Sequence, residues 1–109
     1  GTLWINGHWN DATDERDKFE RGMRIAMEVN MNVNPRTLRF FVEGRQIARY
    51  VTNIPPRIRF FATLVMEYDS FCVQSLHRLN QPIGKLREGD IELRQNDDMY
   101  DYSTGMDER

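Results

Sequence analysis

Cysteine is almost absent from this chain: Cys72 is the single one in 109 residues. No internal disulfide can therefore brace it, and its thiol content gives no argument for an oxidising compartment. Long apolar runs are missing too. No stretch approaches the roughly 18 to 20 residues that a membrane span requires, and the amino end lacks the basic flank and apolar segment of a secretory signal. No Asn-x-Ser/Thr triplet occurs to accept an N-linked glycan. The histidines are His8 and His77, and neither stands at ligand-like spacing from Cys72, which excludes a zinc-type cluster. Gly-rich phosphate loops are absent, and the acids Asp90/Glu92 and Asp97/Asp98 lack the glycine and distal glutamate of a calcium loop. No metal and no cofactor is expected.

What is present, 39% hydrophobic and 29% charged residues, suits one soluble intracellular domain, with a cytoplasmic location as the expectation. At this length folding hides about two thirds of the unfolded chain's surface, enough for one modest core. The chain opens on Gly1 rather than Met, which reads as a piece of something longer. Its net charge of −2 conceals a split. Residues 1 to 84 carry eleven Lys/Arg against nine Asp/Glu, a balance of +2, whereas residues 85 to 109 carry four against eight, a balance of −4. Neither value resembles the basic stripe that a phosphate backbone demands, so no nucleic-acid partner is expected. No membrane partner is expected either. Arginine outnumbers lysine in the body, with Arg24, Arg36, Arg39, Arg45, Arg49, Arg57, Arg59 and Arg78. These form either a solvated outer strand face or an anion site.

Periodicity reads as strands. From Arg24 to Met31, Ile25, Met27, Val29 and Met31 alternate with Arg24, Ala26, Glu28 and Asn30, the period of two that one buried strand face produces. Asn32-Val33-Asn34-Pro35-Arg36 is a turn. Thr37 to Val42 restores the alternation with Leu38, Phe40 and Val42 on one side, and Glu43-Gly44 lets Gln46 to Val51 run back antiparallel with Ile47 and Val51 inward. Pro55-Pro56 then breaks the sheet. Ile58 to Met66 reads as a central strand covered on both sides, and Phe71 to Leu76 as the strand that returns from it. Thr2 to Ile5 is a short strand, and Gly7 to Glu20 a polar connection without periodicity. Phe40 and Phe60 are expected in the core, where truncation of a fully buried Phe to Ala costs ~3 to 5 kcal/mol. Hairpins at such spacing without helical crossovers predict an all-β antiparallel sandwich or barrel.

The segment Lys18-Phe19-Glu20-Arg21-Gly22-Met23-Arg24-Ile25-Ala26-Met27-Glu28-Val29-Asn30, followed by Arg36-Thr37-Leu38-Arg39-Phe40-Phe41-Val42-Glu43-Gly44, resembles the second half of a SPRY domain. Gly1 to Gly7 is similar to the strand just before it, Pro55 to Ala62 to the approach to the next core strand, and Asp69 to Leu76 to the closing strand. Met23 stands where that family usually has Asp, and the family's amino-terminal half has no counterpart. The resemblance implies a concanavalin-like, SPRY-like β-sandwich over residues 1–84, here incomplete. It also implies a non-catalytic protein-protein interaction module that recognises a partner protein or peptide through its loops, as an adaptor does. Residues 85–109 are then an acidic tail with an edge strand at 90–94. Sheet edges left open by the missing strands make self-association the alternative.

Catalytic pairings are scarce. His77 follows Cys72 by an odd offset, which on one strand places them on opposite faces, and no Ser or Cys stands beside His8. No enzymatic activity is expected, a small hydrolase or lyase being the last alternative. Partner-binding candidates are His8, Trp9 and Asn10 in the polar loop from Asn6 to Asp11, where Trp9 either offers contact area and an indole donor or caps the core. Tyr68 and Asp69, in the turn from Glu67 to Ser70, are the second group, with turn stabilisation by Asp69 as the competing reading. Asn53-Ile54-Pro55-Pro56 is either a rigid contact loop or a structural bend. Tyr100 and Tyr102, flanked by acids, are either an interaction motif or part of a disordered terminus.

Overall fold

The computed structural model describes residues 2–5 and 8–11 as backbone, and residues 18–61, 68 and 70–96 with their side chains. Strands β1 (Thr2–Ile5) and β2 (His8–Asp11) form an antiparallel pair. Strands β3 (Ile25–Asn30), β4 (Thr37–Val42), β5 (Arg45–Thr52) and β6 (Ile91–Arg94) form one four-stranded sheet in the order β3-β4-β5-β6. The fold is all-β, with no helix among the described residues.

Neighbours β3, β4 and β5 make the expected meander because each turn has the chemistry it needs. Glu43 and Gly44 both take positive φ, 51° and 78°, the conformation that lets a two-residue hairpin follow the right-handed twist of its strands. A non-glycine residue there is disfavoured, but the Glu43 carboxylate accepts the Arg24 N–H at 2.7 Å, a bond that offsets the strain and fixes the start of β3. At the far end Arg36 Nε donates to the Ile54 carbonyl at 2.7 Å, and Ile54 N–H donates back to the Arg36 carbonyl at 3.3 Å. The bend through Asn53, at φ 62°, is thereby a structural corner.

The register sorts the side chains into rows. Val29, Leu38, Val51 and Leu93 stand opposite one another across all four strands, and the preceding row is Glu28, Arg39, Tyr50 and Glu92. Because successive residues of a strand face opposite ways, one sheet face is apolar and the other polar. Val51 and Ile54 form the centre of the apolar side, with Val29, Leu38, Phe40 and Leu93 packed against them. Phe41, Val42 and Ile47 are also buried, Val42 to 2% exposure. Between the pairs Arg39–Tyr50 and Phe41–Gln46 the register shifts, so β5 contributes Ile47, Ala48 and Arg49 where β4 contributes only Phe40. Such an irregularity adds local bend and twist.

Four expectations need correction. The sheet is mixed rather than antiparallel, since the expected edge strand exists at Ile91–Arg94 but runs parallel to β5. The chain from 53 to 90 carries it back to the end where β5 began, as a parallel pairing requires. Residues 58–61 of the expected central strand are irregular, and residues 62–66 lie outside the described residues. The two prolines supply no ladder donors, and the place beside β5 that a returning strand would take is occupied by β6. Phe60 is consequently 42% exposed instead of being core. Residues 71–76 likewise form no strand. Finally, Ile25, Met27 and Met31 remain exposed although they alternate as predicted, because among the described residues β3 is the edge of the sheet and only Val29 of that row reaches the core. The expected boundary after Gly84 is crossed by hydrogen bonds described below, and residues 97–109, with Tyr100 and Tyr102, lie outside the described residues.

Gly44→Ala should lower stability by about 1–2 kcal/mol, the cost of a left-handed L-residue; nothing lies within 4 Å of the added Cβ, so no clash contributes. Ile47→Ala should cost about 2–5 kcal/mol, and Phe60→Ala much less. Urea melts of the three variants rank them, and a Phe60→Ala loss as large as that of Ile47→Ala would restore the core position of Phe60.

Candidate functional site

The polar face of the sheet is crossed by the chain segment 83–90, and β3, β4 and β5 each supply a fastening. On β3 the Glu28 carboxylate accepts the N–H groups of Ile83 at 2.8 Å and Gly84 at 2.9 Å. From β5 the Gln46 amide imitates a strand pairing with Lys85: its Nε2 donates to the Lys85 carbonyl at 2.7 Å, and the Lys85 N–H donates to its Oε1 at 3.1 Å. Arg87 Nη2 adds a bond to the Gln46 carbonyl at 3.0 Å. Asp90 closes the segment. Its carboxylate, 2% exposed, lies 3.3 Å from Arg39 Nη1 of β4 and 3.7 Å from Arg87 Nε, and it accepts the Arg87 N–H at 2.8 Å. The Arg39 guanidinium in turn lies over the Tyr50 ring, 4.2 Å from its centroid, a contact that favours arginine over lysine.

Gly84 is required by proximity. A Cβ there would lie 2.5 Å from Arg39 Cδ and 3.0 Å from Glu28 Oε1, so any larger residue would lift the segment from the two side chains that hold it. Beside this crossing opens a cleft of about 380 Å³, whose lining includes Asn30, Thr37, Tyr50, Lys85, Leu86 and Glu92. Most of its charge is already engaged: Arg39 by Asp90, and Glu92 by the Thr52 hydroxyl at 2.6 Å. The lining can grip a small neutral polar group by hydrogen bonds, and its hydroxyls come from Thr37, Tyr50 and Thr52. Among the described residues no group of three or more His, Cys, Asp or Glu could hold a metal ion.

The residues singled out in the sequence lie elsewhere. His8, Trp9 and Asn10 are not in a loop; they belong to β2, with Trp9 in register with Trp4, His8 with Ile5 and Asn10 with Leu3. The reason is the backbone preference of large aromatics for strands and for cross-strand pairing, which outweighs the polar residues around Trp9. Tyr68 is 63% exposed, and the Arg21 guanidinium lies 4.7 Å from its ring centroid. Asp69 lies outside the described residues. Just after it, in the segment expected to be the returning strand, Phe71, Val73 and Leu76 are all exposed, Phe71 to 59% and Leu76 to 79%. Cys72, between them, is exposed with Sγ 3.9 Å from the Val73 carbonyl. No helix among the described residues is long and apolar enough to cross a membrane.

Compared with family models, with curated proteins and with solved structures, the chain matches none.

Asp90→Ala leaves the Arg39 charge buried beside Tyr50, and removing one partner of a buried pair costs about 3–5 kcal/mol. Gly84→Ala should instead loosen the crossing while the meander persists. Hydrogen exchange reads the difference: protection at Ile83 and Lys85 should vanish in Gly84→Ala while that of Val51 stays, and retained protection at Lys85 would contradict the close packing against Arg39.

Proposed function

We propose that this chain is a non-catalytic protein-recognition module of the cytoplasm, built as a SPRY-like sandwich of which β3 to β6 form one sheet. The observation that carries the reading is the exposure of the apolar side chains Phe71, Val73 and Leu76 in the irregular stretch 70–79. Soluble proteins seldom leave large apolar side chains gathered in water unless another surface covers them. In a complete sandwich of the SPRY type this stretch would be the closing strand under a facing sheet. Here it offers its side chains to a partner protein with a complementary apolar groove, and Tyr68, backed by Arg21, stands at its beginning. Aromatic anchors of this kind carry much of the energy of protein interfaces.

The function is tested by capture on the immobilised chain, identification of the bound protein by mass spectrometry, and titration of that purified protein by calorimetry. Phe71→Ser and Leu76→Ser should each weaken binding at least tenfold, about 1.4 kcal/mol, with the melting temperature unchanged because both side chains are already solvated. Binding that is unaffected by both substitutions would sink this reading of the surface.

A further inference from the structure

We infer that the outer edge of β3 pairs antiparallel with the β3 edge of a second copy of this chain, in the register centred on Ala26. The inference is independent of the recognition function, and it rests on three features of one strand.

The first is the direction of the backbone groups. Among the described residues β3 pairs only with β4. The Glu43 N–H donates to the Arg24 carbonyl at 2.8 Å, and the register continues Ile25–Val42, Ala26–Phe41, Met27–Phe40 and Glu28–Arg39. In an antiparallel ladder hydrogen-bonded and non-hydrogen-bonded pairs alternate. Since Arg24 bonds toward β4, so do Ala26 and Glu28, and the N–H and C=O groups of Ile25, Met27 and Val29 point away from the sheet.

The second feature is that, among the described residues, this edge carries none of the usual protections. Natural edge strands are commonly protected by lysine, proline, a bulge or shortness. From Ile25 to Asn30 there is no lysine and no proline, and the pairing with β4 runs without a register shift. Arg24, Ile25, Ala26 and Met27 are all exposed.

The third feature is that the strand is complementary to itself. Turned about a two-fold axis at Ala26, it sets Ile25 of one copy against Met27 of the other, twice, as hydrogen-bonded pairs made by the outward backbone groups. The same rotation sets Arg24 against Glu28, twice, as non-hydrogen-bonded pairs, the kind in which side chains approach more closely. The apolar pairs extend the apolar sheet face and the ionic pairs extend the polar one. Each Glu28 oxygen accepts one N–H of the 83–90 crossing and keeps a second lone pair for the arginine. The neighbouring register, centred on Met27, would oppose Ala26 to Glu28 and Arg24 to Asn30, leaving both charges unmatched. An isologous contact of this sort closes on itself as a dimer with one continuous eight-stranded sheet.

A register-specific crosslink on the full chain tests it. In a Cys72→Ser background, Ala26→Cys should form a disulfide-linked dimer under mild oxidation, because the two Ala26 positions face each other in a non-hydrogen-bonded pair whose spacing suits a disulfide. Met27→Cys should crosslink at least tenfold more slowly. A faster Met27→Cys product overturns the register, and the absence of dimer in both overturns the interface. Met27→Pro provides the second arm: it deletes an outward N–H and leaves the β3–β4 ladder intact. Sedimentation should show the dimer dissociation constant raised at least tenfold with the thermal melt retained, and a variant that folds and still dimerises like the parent chain overturns the proposal. The partner titration above reads a different surface, so either result can fail without the other.

Discussion

The carboxylate of Asp90 holds together the parts of this fold that are distant in sequence. It lies at the end of the crossing segment and immediately before β6, and its partner Arg39 belongs to β4, in the middle of the meander. A charge so deeply buried is tolerable only when its desolvation is offset by an opposite charge and by hydrogen bonds, and here Arg39, the Arg87 side chain and the Arg87 N–H provide them. The stacking of Arg39 on Tyr50 completes the arrangement by holding the guanidinium over the ring. An apolar pair could fill the same space, but it would not select one position of the 83–90 segment over its neighbours.

Local patterns of the meander were legible because they are local. The alternation in 24–31, the Glu43-Gly44 turn and the inward Ile47 and Val51 all depend on residues near one another, and each appears where the periodicity indicates. The later half misled for a physical reason. Ile58 to Met66 alternates and Phe71 to Leu76 is rich in apolar residues, yet such patterns express only the capacity to lie on a half-buried surface, and the position beside β5 belongs to the short Ile91–Arg94. That strand is secured by side chains as much as by its own pattern: the Thr52 hydroxyl donates to Glu92, and the Asn53 amide to the Gln95 carbonyl at 2.7 Å. No spacing rule links Glu28 to Gly84 or Gln46 to Lys85, so the crossing over the polar face was hidden. Trp9 was misread because its polar neighbours spoke for a loop while its own ring favours strand pairing.

Both sheet faces and one edge now have distinct characters. The polar face is crossed by the chain's own segment 83–90, with a cleft beside it. The apolar face is closed over β5 by Ile54 and thins toward β3, where Ile25 and Met27 are still accessible. The two contacts proposed above, at the apolar stretch after Tyr68 and at the β3 edge, lie on different elements and can act separately.

The parallel addition of β6 also orders events in time. Strands β3, β4 and β5 close through short turns, whereas the β5–β6 pairing must bring together positions separated by the whole span from 53 to 90, at the entropic cost of a long loop. Contacts of that kind form late and slow folding. The meander can therefore form before β6 is in place, and until Leu93 pairs beside Val51 the flank of β5 that β6 covers is an open strand edge.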